Sequence, residues 1–444
     1  MSEGVTIPPH ERHVLANGTQ LVMLPRGDVP LIAFELLLRG GARVDPPGRA
    51  GTVSLTAELL RHGAGERDAY TFAEVLEGSG GSLDAEAGSE AVLLHGQFLA
   101  RDAELMLGLL ADVLQRPRLD AAEFETLRAR RIEFIKATKD SDPQSLIGQY
   151  GRALLFADHP YGAPVGGSET SLARIGTQDI HDYYARHFGA DRLTLVFAGD
   201  FDPHWLRGAV EAAFGGARRA GASLPPLRRP EPVRGRRVLL VDAPGSAQGY
   251  FWIGNVGVAR DFEPRAALET VNTAFGGSFG SMLMQALRTR TGLTYSAHSE
   301  FRRGSVPGGF AISSFAEGER AGRAIEVSLR TLDALKQQGL SAEALDSARN
   351  YLLGQYPLGF ETSADWAAAM GELALFALPD SYIDDFGPAL MRVDAQQAAQ
   401  VVAQAFPDSQ DLAVVLIGDA RRLRRQAARF GPLTERALAA PEFG

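Results

Sequence analysis

Apolar and polar positions along the chain follow two periods, and the order of the periods recurs. Strand-like runs come first, Gln20-Leu-Val-Met-Leu24 and Leu31-Ile-Ala-Phe-Glu-Leu-Leu-Leu38, and similar runs return past the midpoint, Arg237-Val-Leu-Leu-Val241 and Tyr250-Phe-Trp-Ile253. After each pair the spacing becomes helical, over 54–62 and 266–274, since apolar residues three or four apart line one helix face. Residues 70–77 read as a short amphipathic helix stopped by Gly78-Ser-Gly80-Gly81. Alternation resumes at Leu83, Ala85 and Ala91-Val-Leu-Leu94, and in the second half at Thr294-Tyr-Ser-Ala297 and Gly309-Phe-Ala-Ile-Ser313. Long helical patterns follow, 101–114 and 120–139, then 318–338 and 341–353, the second of each pair opening on an N-cap, Asp120 or Ser341. Strand pairs, helix blocks and a returning strand predict an α+β fold with helices laid over one face of a sheet.

The recurrence is a duplication. Ala111-Asp-Val-Leu-Gln115 with Leu119-Asp-Ala-Ala-Glu-Phe124 parallels Leu332-Asp-Ala-Leu-Lys336 with Leu340-Ser-Ala-Glu-Ala-Leu345 at an offset of 221 residues. Leu155-Phe-Ala157 returns as Leu375-Phe-Ala377 at 220, and Leu193-Thr-Leu-Val-Phe-Ala-Gly-Asp200 as Leu412-Ala-Val-Val-Leu-Ile-Gly-Asp419 at 219. Three segments in one order at nearly one offset predict two homologous α/β sandwich domains, 1–216 and 237–444. The join at 217–236 lies in a stretch, 215–237, with four prolines, seven arginines and little to bury. It reads as an extended, solvated linker.

Composition narrows the function. The chain has 444 residues, 45 basic against 54 acidic, for a net charge of −9, which argues against a nucleic-acid surface. Nothing approaches the ~18 consecutive apolar residues of a membrane span. There is no cysteine, hence no disulfide framework, thiolate metal site or cysteine nucleophile. The chain opens almost directly on a strand and ends Pro-Glu-Phe-Gly444, which resembles a vector-derived scar. If a leader has been removed, the periplasm is the expected compartment, with the cytoplasm as the alternative.

Neither the histidines nor the glycines form a recognisable site. His10-Glu-Arg-His13 lies in a proline-flanked arm before any helix and reads as solvent-exposed, and His95 as a core or sheet-face residue. Gly276-Gly-Ser-Phe-Gly280 and Gly78-Ser-Gly-Gly81 lack the residues of a phosphate loop and read as turns.

Several strings together resemble the pitrilysin/insulinase family of inverted-motif zinc peptidases, which includes the mitochondrial processing peptidase. They are Leu15-Ala-Asn17-Gly18, Gly51-x3-Leu55, Gly80-Gly81-x-Leu83-Asp84-Ala85, His159-Pro-Tyr-Gly162 with Gly166-Gly167, and Leu283-x3-Leu287-Arg288-x3-Gly292-Leu-Thr-Tyr295. The resemblance spans nearly the whole chain and implies duplicated α/β halves of a metallopeptidase-like clamshell joined by a linker. Family members bind zinc through H-x-x-E-H on a helix, closed by a distant glutamate. Those positions here read Ser54, Ala57 and Glu58, with Ile135 at the closing position and Glu133 two residues out of register. A hydroxyl, a methyl, one carboxylate and a butyl group do not hold zinc, so the resemblance implies a noncatalytic member with no cofactor in this chain.

The second half keeps what the first has lost. Many active members supply an Arg and a Tyr seven residues apart that contact the substrate backbone or oxyanion, and Arg288 and Tyr295 match. The bland alternative is that Arg288 caps local carbonyls and Tyr295 packs in a strand. The resemblance further implies that Leu83, Asp84 and Ala85 lie on an edge strand to which an extended peptide can add. The expectation is therefore a subunit inert by itself, paired with a homologous zinc-bearing peptidase and lending Arg288 and Tyr295 to a composite site for unstructured peptides. The competing expectation is a homodimeric structural or peptide-binding scaffold. A metal-independent hydrolase using Glu58 is a weaker third, lacking a positioned nucleophile.

Overall fold

A computed structural model describes residues 4–444. Its strands are, in the first half, β1 (Glu11–Val14), β2 (Gln20–Pro25), β3 (Leu31–Arg39), the short ladder β4 (Gly63–Ala64) and β5 (Arg67–Asp68), β6 (Ser82–Ala87), β7 (Ala91–Leu99) and β8 (Leu193–Gly199). The second half contributes β9 (Arg236–Asp242), β10 (Gln248–Val256), β11 (Ala297–Arg302), β12 (Gly309–Glu317), β13 (Leu412–Gly418) and β14 (Leu433–Ala437). They build two six-stranded mixed sheets, ordered β1-β2-β8-β3-β7-β6 and β11-β12-β10-β13-β9-β14. Five strands correspond one to one. The sixth differs: β1 precedes β2 and runs antiparallel to it, whereas β14 comes from the chain's end and runs parallel to β9.

The repeated strings occupy equivalent places. β8 and β13 are central, and every residue in each is buried, which explains continuous apolar runs in place of alternation. The repeated Leu-Phe-Ala ends the helices Ile147–Phe156 and Ser363–Phe376. The alanine after each has a positive φ, 44° at Ala157 and 53° at Ala377, which non-glycine residues seldom adopt, although only Ala377 is in the left-handed helical conformation.

Packing crosses the repeat boundary. One compact unit comprises the residues up to Phe134 with Pro164–Pro226 and Pro357–Asp384; the other comprises Ile135–Ala163, Leu227–Tyr356 and Asp385–Gly444. The boundaries 1–216 and 237–444 follow the duplication, while each sheet takes a covering helix from the other half's sequence. Ser363–Phe376 lies on β3 and β8, and Ile147–Phe156 on β10 and β13. Each helix approaches through a glycine 220 residues from its counterpart. A Cβ on Gly151 would stand 2.5 Å from the Trp252 ring, and one on Gly371 would stand 2.8 Å from Glu35 Cγ.

The linker is extended and mostly exposed. It carries no helix or strand, yet its first part is pinned to its own unit. Arg218 donates to the carbonyls of Ala185 (2.7 Å) and Tyr184 (3.0 Å), and the Ala220 N–H donates to Asp191 (2.7 Å). Carbonyls at a helix end accept from this exposed guanidinium.

Candidate functional site

The helix at the degenerate zinc positions, Thr52–Leu59, is well built. Asp45 accepts from the N–H groups of Gly51 and Val53, both at 2.8 Å, satisfying donors at the helix start. Burial pushes the Asp45 carboxyl up to about 7. Gly51 has φ 100° and lies against Gly167, where a Cβ would come within 2.9 Å of backbone. The helix buries Val53, Leu55, Ala57 and Leu59 and leaves Ser54 and Glu58 half-buried on the remaining face.

Glu58 is committed to two cations. Arg130 reaches one of its oxygens at 2.6 Å and Arg131 the other at 2.8 Å. Both arginines come from the helix Ala121–Ser141, and Ile135, buried, lies one turn beyond Arg131 on that helix. Glu133 is exposed. The donor set is unsuited to zinc: a hydroxyl, a methyl and a carboxylate already neutralised by two guanidiniums, with no imidazole. Among the described residues no three histidine or acidic side chains are grouped to hold a metal ion. His62, just past the helix, pairs with Glu123 at 2.8 Å, and His13 with Glu11 at 2.9 Å.

Leu83, Asp84 and Ala85 lie on β6, the terminal strand of the first sheet. Leu83 points to the core and Asp84 outward, as the period of two requires. Asp84 pairs with Arg61, just beyond the helix Thr52–Leu59, at 3.0 Å. His95 faces Asp84 on one side and Glu35 on the other in the ladder, and is half-buried on the sheet face as its apolar strand suggested.

In the second unit the corresponding helix, Arg265–Asn272, continues as a π-helical turn over Thr273–Gly277, and a second π-helical turn spans Gln285–Thr289. Such turns shift the side chains that follow them and are frequent at functional sites. The segment between them is anchored tightly. Asn272 exchanges hydrogen bonds with Ser299 on β11 (2.7 and 3.2 Å), and a Cβ on Gly276 would meet Ser299 Oγ at 2.5 Å. Leu283 and Leu287 are fully buried, and the Leu293 N–H returns to the Leu287 carbonyl at 2.8 Å.

From this rigid base Arg288 and Tyr295 project together. The Arg288 guanidinium carbon lies 4.4 Å from the Tyr295 ring centroid and 4.7 Å from that of Phe279. Tyr295 is 72% exposed and Phe279 74%. Tyr295 does not sit in a strand, because β11 begins only at Ala297. Nor does Arg288 cap a carbonyl among the described residues; it lies against the two ring faces. A guanidinium stacked on rings keeps its in-plane N–H donors free for a carbonyl or carboxylate. Phe279 was missed in the sequence. Its signal was an apolar residue inside Gly-Gly-Ser-Phe-Gly, where a simple turn would take a polar one.

Fold and site together define a duplicated peptidase framework whose metal position is filled by an ion-pair cluster. Residues 29–168 match the insulinase family, peptidase family M16, and residues 174–352 match the peptidase M16 inactive domain. An uncharacterized zinc protease of Mycobacterium leprae is 28% identical over 336 residues, 76% of this chain and 75% of that protein. The non-peptidase homolog YmxG of Helicobacter pylori is 25% identical over 343 residues, 75% of this chain and 77% of that one. The crystal structure of a peptidase M16 inactive domain from Pseudomonas fluorescens superposes with a TM-score of 0.86 at 21% identity, covering 93% of this chain and 98% of that one. The chain belongs to the pitrilysin/insulinase family, peptidase family M16, as a noncatalytic member without the H-x-x-E-H motif.

Proposed function

We propose that this chain is the metal-free subunit of a two-subunit zinc peptidase, lending Arg288 and Tyr295 to a peptide-cleaving site whose metal is held by a homologous partner. The observation that carries the reading is the half-buried Arg288 guanidinium held against the exposed Phe279 and Tyr295 rings, with no hydrogen-bond or ion-pair partner among the described residues. Such a guanidinium, with a phenol beside it, can donate to a peptide carbonyl oxygen as negative charge grows on it. The terminal strand β6 offers backbone groups to an extended peptide. Glu58, bound by two arginines, has no part in hydrolysis.

Purified alone, the chain should not cleave unstructured peptides. Reconstituted with a homologue that retains H-x-x-E-H, it should support cleavage that R288A and Y295F sharply reduce while the complex still forms by sedimentation. Turnover indifferent to both substitutions would sink the proposal.

A further inference from the structure

The two exchanged helices leave different amounts of room at their C-terminal ends. On the sheet face that the helix Ser363–Phe376 covers, β3 carries Glu35 and Arg39, at the register positions that Trp252 and Val256 hold in β10. Burial, then the Glu86 charge, pushes the Glu35 carboxyl up to about 7, so at neutral pH much of it is uncharged. Arg39 is half-buried and donates to the Ala374 carbonyl at 2.8 Å, in the last turn of the helix. It makes no other hydrogen bond and no ion pair among the described residues. Burial pulls its pKa below the usual arginine value, yet a guanidinium stays charged. Beside it, between the helix end and strands β1 and β2, lies a cavity of about 350 Å³, within the ~300–1,000 Å³ of small-molecule sites. Its walls are mostly apolar, with Val14, Val22, Leu373, Ala374 and Leu378. The other cations on the wall are matched, Arg12 with Asp380 at 2.5 Å and His13 with Glu11. The second unit fills the corresponding place itself. Leu154 stands where the first has Ala374, and Phe443, 4% exposed, packs on Tyr150 of the same helix with ring centroids 5.2 Å apart. A Cβ on Gly444 would lie 3.5 Å from that of Ala153, the counterpart of Leu373.

We propose that the cavity is a binding site for an aliphatic monocarboxylate, its chain against Val22, Leu373 and Leu378 and its carboxylate on the free donors of Arg39. The ligand supplies the anion that the fold withholds, in the pairing that guanidinium and carboxylate favour. Its chain removes from water the kind of apolar surface that the second unit covers with Phe443. Gln20 is the one neutral polar side chain on the wall, so a peptide backbone would find few partners there, whereas a hydrocarbon chain needs none. The inference stands apart from both Arg288 and β6.

The test is isothermal titration calorimetry of the purified chain with octanoate, 1-octanol, acetate and the tripeptide acetyl-Ala-Ala-Leu as its free acid. Octanoate should bind saturably at one per chain, and octanol and acetate at least tenfold more weakly. R39Q should weaken octanoate about tenfold, the loss of one hydrogen bond to a charged group, and leave octanol unchanged, a split that the loss of a helix cap alone would not give. A374L installs the second unit's residue, keeps Arg39, and should remove binding of both. Should R39Q fail to fold, A374L and the octanol comparison still decide. Octanol bound as well as octanoate, octanoate indifferent to R39Q or A374L, the tripeptide acid bound in preference to octanoate, or no saturable binding would each overturn the inference.

Discussion

The two halves are one framework put to opposite uses. Each has the same five-strand core, the same exchanged helix approaching through a glycine, and an alanine of positive φ behind it. In the first half, the helix Thr52–Leu59 is closed by the Glu58 cluster with Arg130 and Arg131, and β6 is the terminal strand of its sheet. In the second, the helix Arg265–Asn272 loosens into π-helical turns and ends with half-buried Arg288 against the exposed rings of Tyr295 and Phe279. Duplication supplies positions, and chemistry is decided by whether a polar side chain there is given a partner within the fold.

The sharpest way to break the comparison is to remove the open cation. In a reconstituted complex, R288A should lower kcat/KM by about 10²-fold, the usual loss of one positioned oxyanion donor, whereas E58A should leave turnover intact. Y295F keeps the ring against Arg288 and removes only the phenol donor. A loss with Y295F comparable to that of R288A would show that the hydroxyl acts directly.

Next is the attempt to reverse the first half's history. Grafting S54H, A57E and E58H restores the motif, yet it strips Arg130 and Arg131 of their carboxylate and leaves Ile135 where the closing ligand belongs. Metal analysis after dialysis against zinc should find no stoichiometric uptake. Uptake should require I135E and neutral residues at 130 and 131, because a cation site beside two guanidiniums is opposed electrostatically. Full occupancy in the simple graft would show that the arginines do not guard the site.

Much of this was legible in the sequence, for identifiable reasons. The repeat was visible because β8 and β13, buried on both faces, tolerate little besides apolar residues, and the helix ends kept Leu-Phe-Ala. The loss of zinc chemistry was visible because H-x-x-E-H is contiguous. The exchange of helices was not, since an amphipathic pattern marks a face to be buried and never which sheet buries it. The partners of Glu58 lie more than 70 residues away in sequence, and the role of the linker arginines depends on which carbonyls the fold leaves unsatisfied. Glu35 read as one polar residue in an apolar strand. Its meaning came only from the ladder that set it between His95 and Val196, at the register position that Trp252 holds in the other sheet.

Glu35 supplies a smaller effect on stability. Its folded carboxyl titrates at about 7 against 4.5 for a free glutamate, so between those pH values the folded chain holds a proton that the unfolded chain has released. Stability should therefore fall as pH rises through this window. E35Q removes the ionisation, and should be more stable than the parent by about 2 kcal/mol at pH 8 in urea unfolding, with the advantage gone near pH 4.5. An advantage independent of pH would mean that Gln merely packs better against Gly371.

The smallest effect tests whether the second half's open cation needs its second ring. Removing the Phe279 ring takes away one cation–π contact at an exposed position, worth about 0.5–1 kcal/mol, so F279A should lower kcat in the reconstituted complex about threefold. KM should change little, because the peptide would still bind while Arg288 samples more rotamers before each productive encounter. F279W should recover the lost turnover, since an indole offers a larger face to the same guanidinium. If F279A instead raised KM at constant kcat, the ring would be contacting the peptide itself. If neither parameter moved, Tyr295 alone would suffice to hold Arg288, and the exposed phenylalanine would have no part in the contrast between the halves.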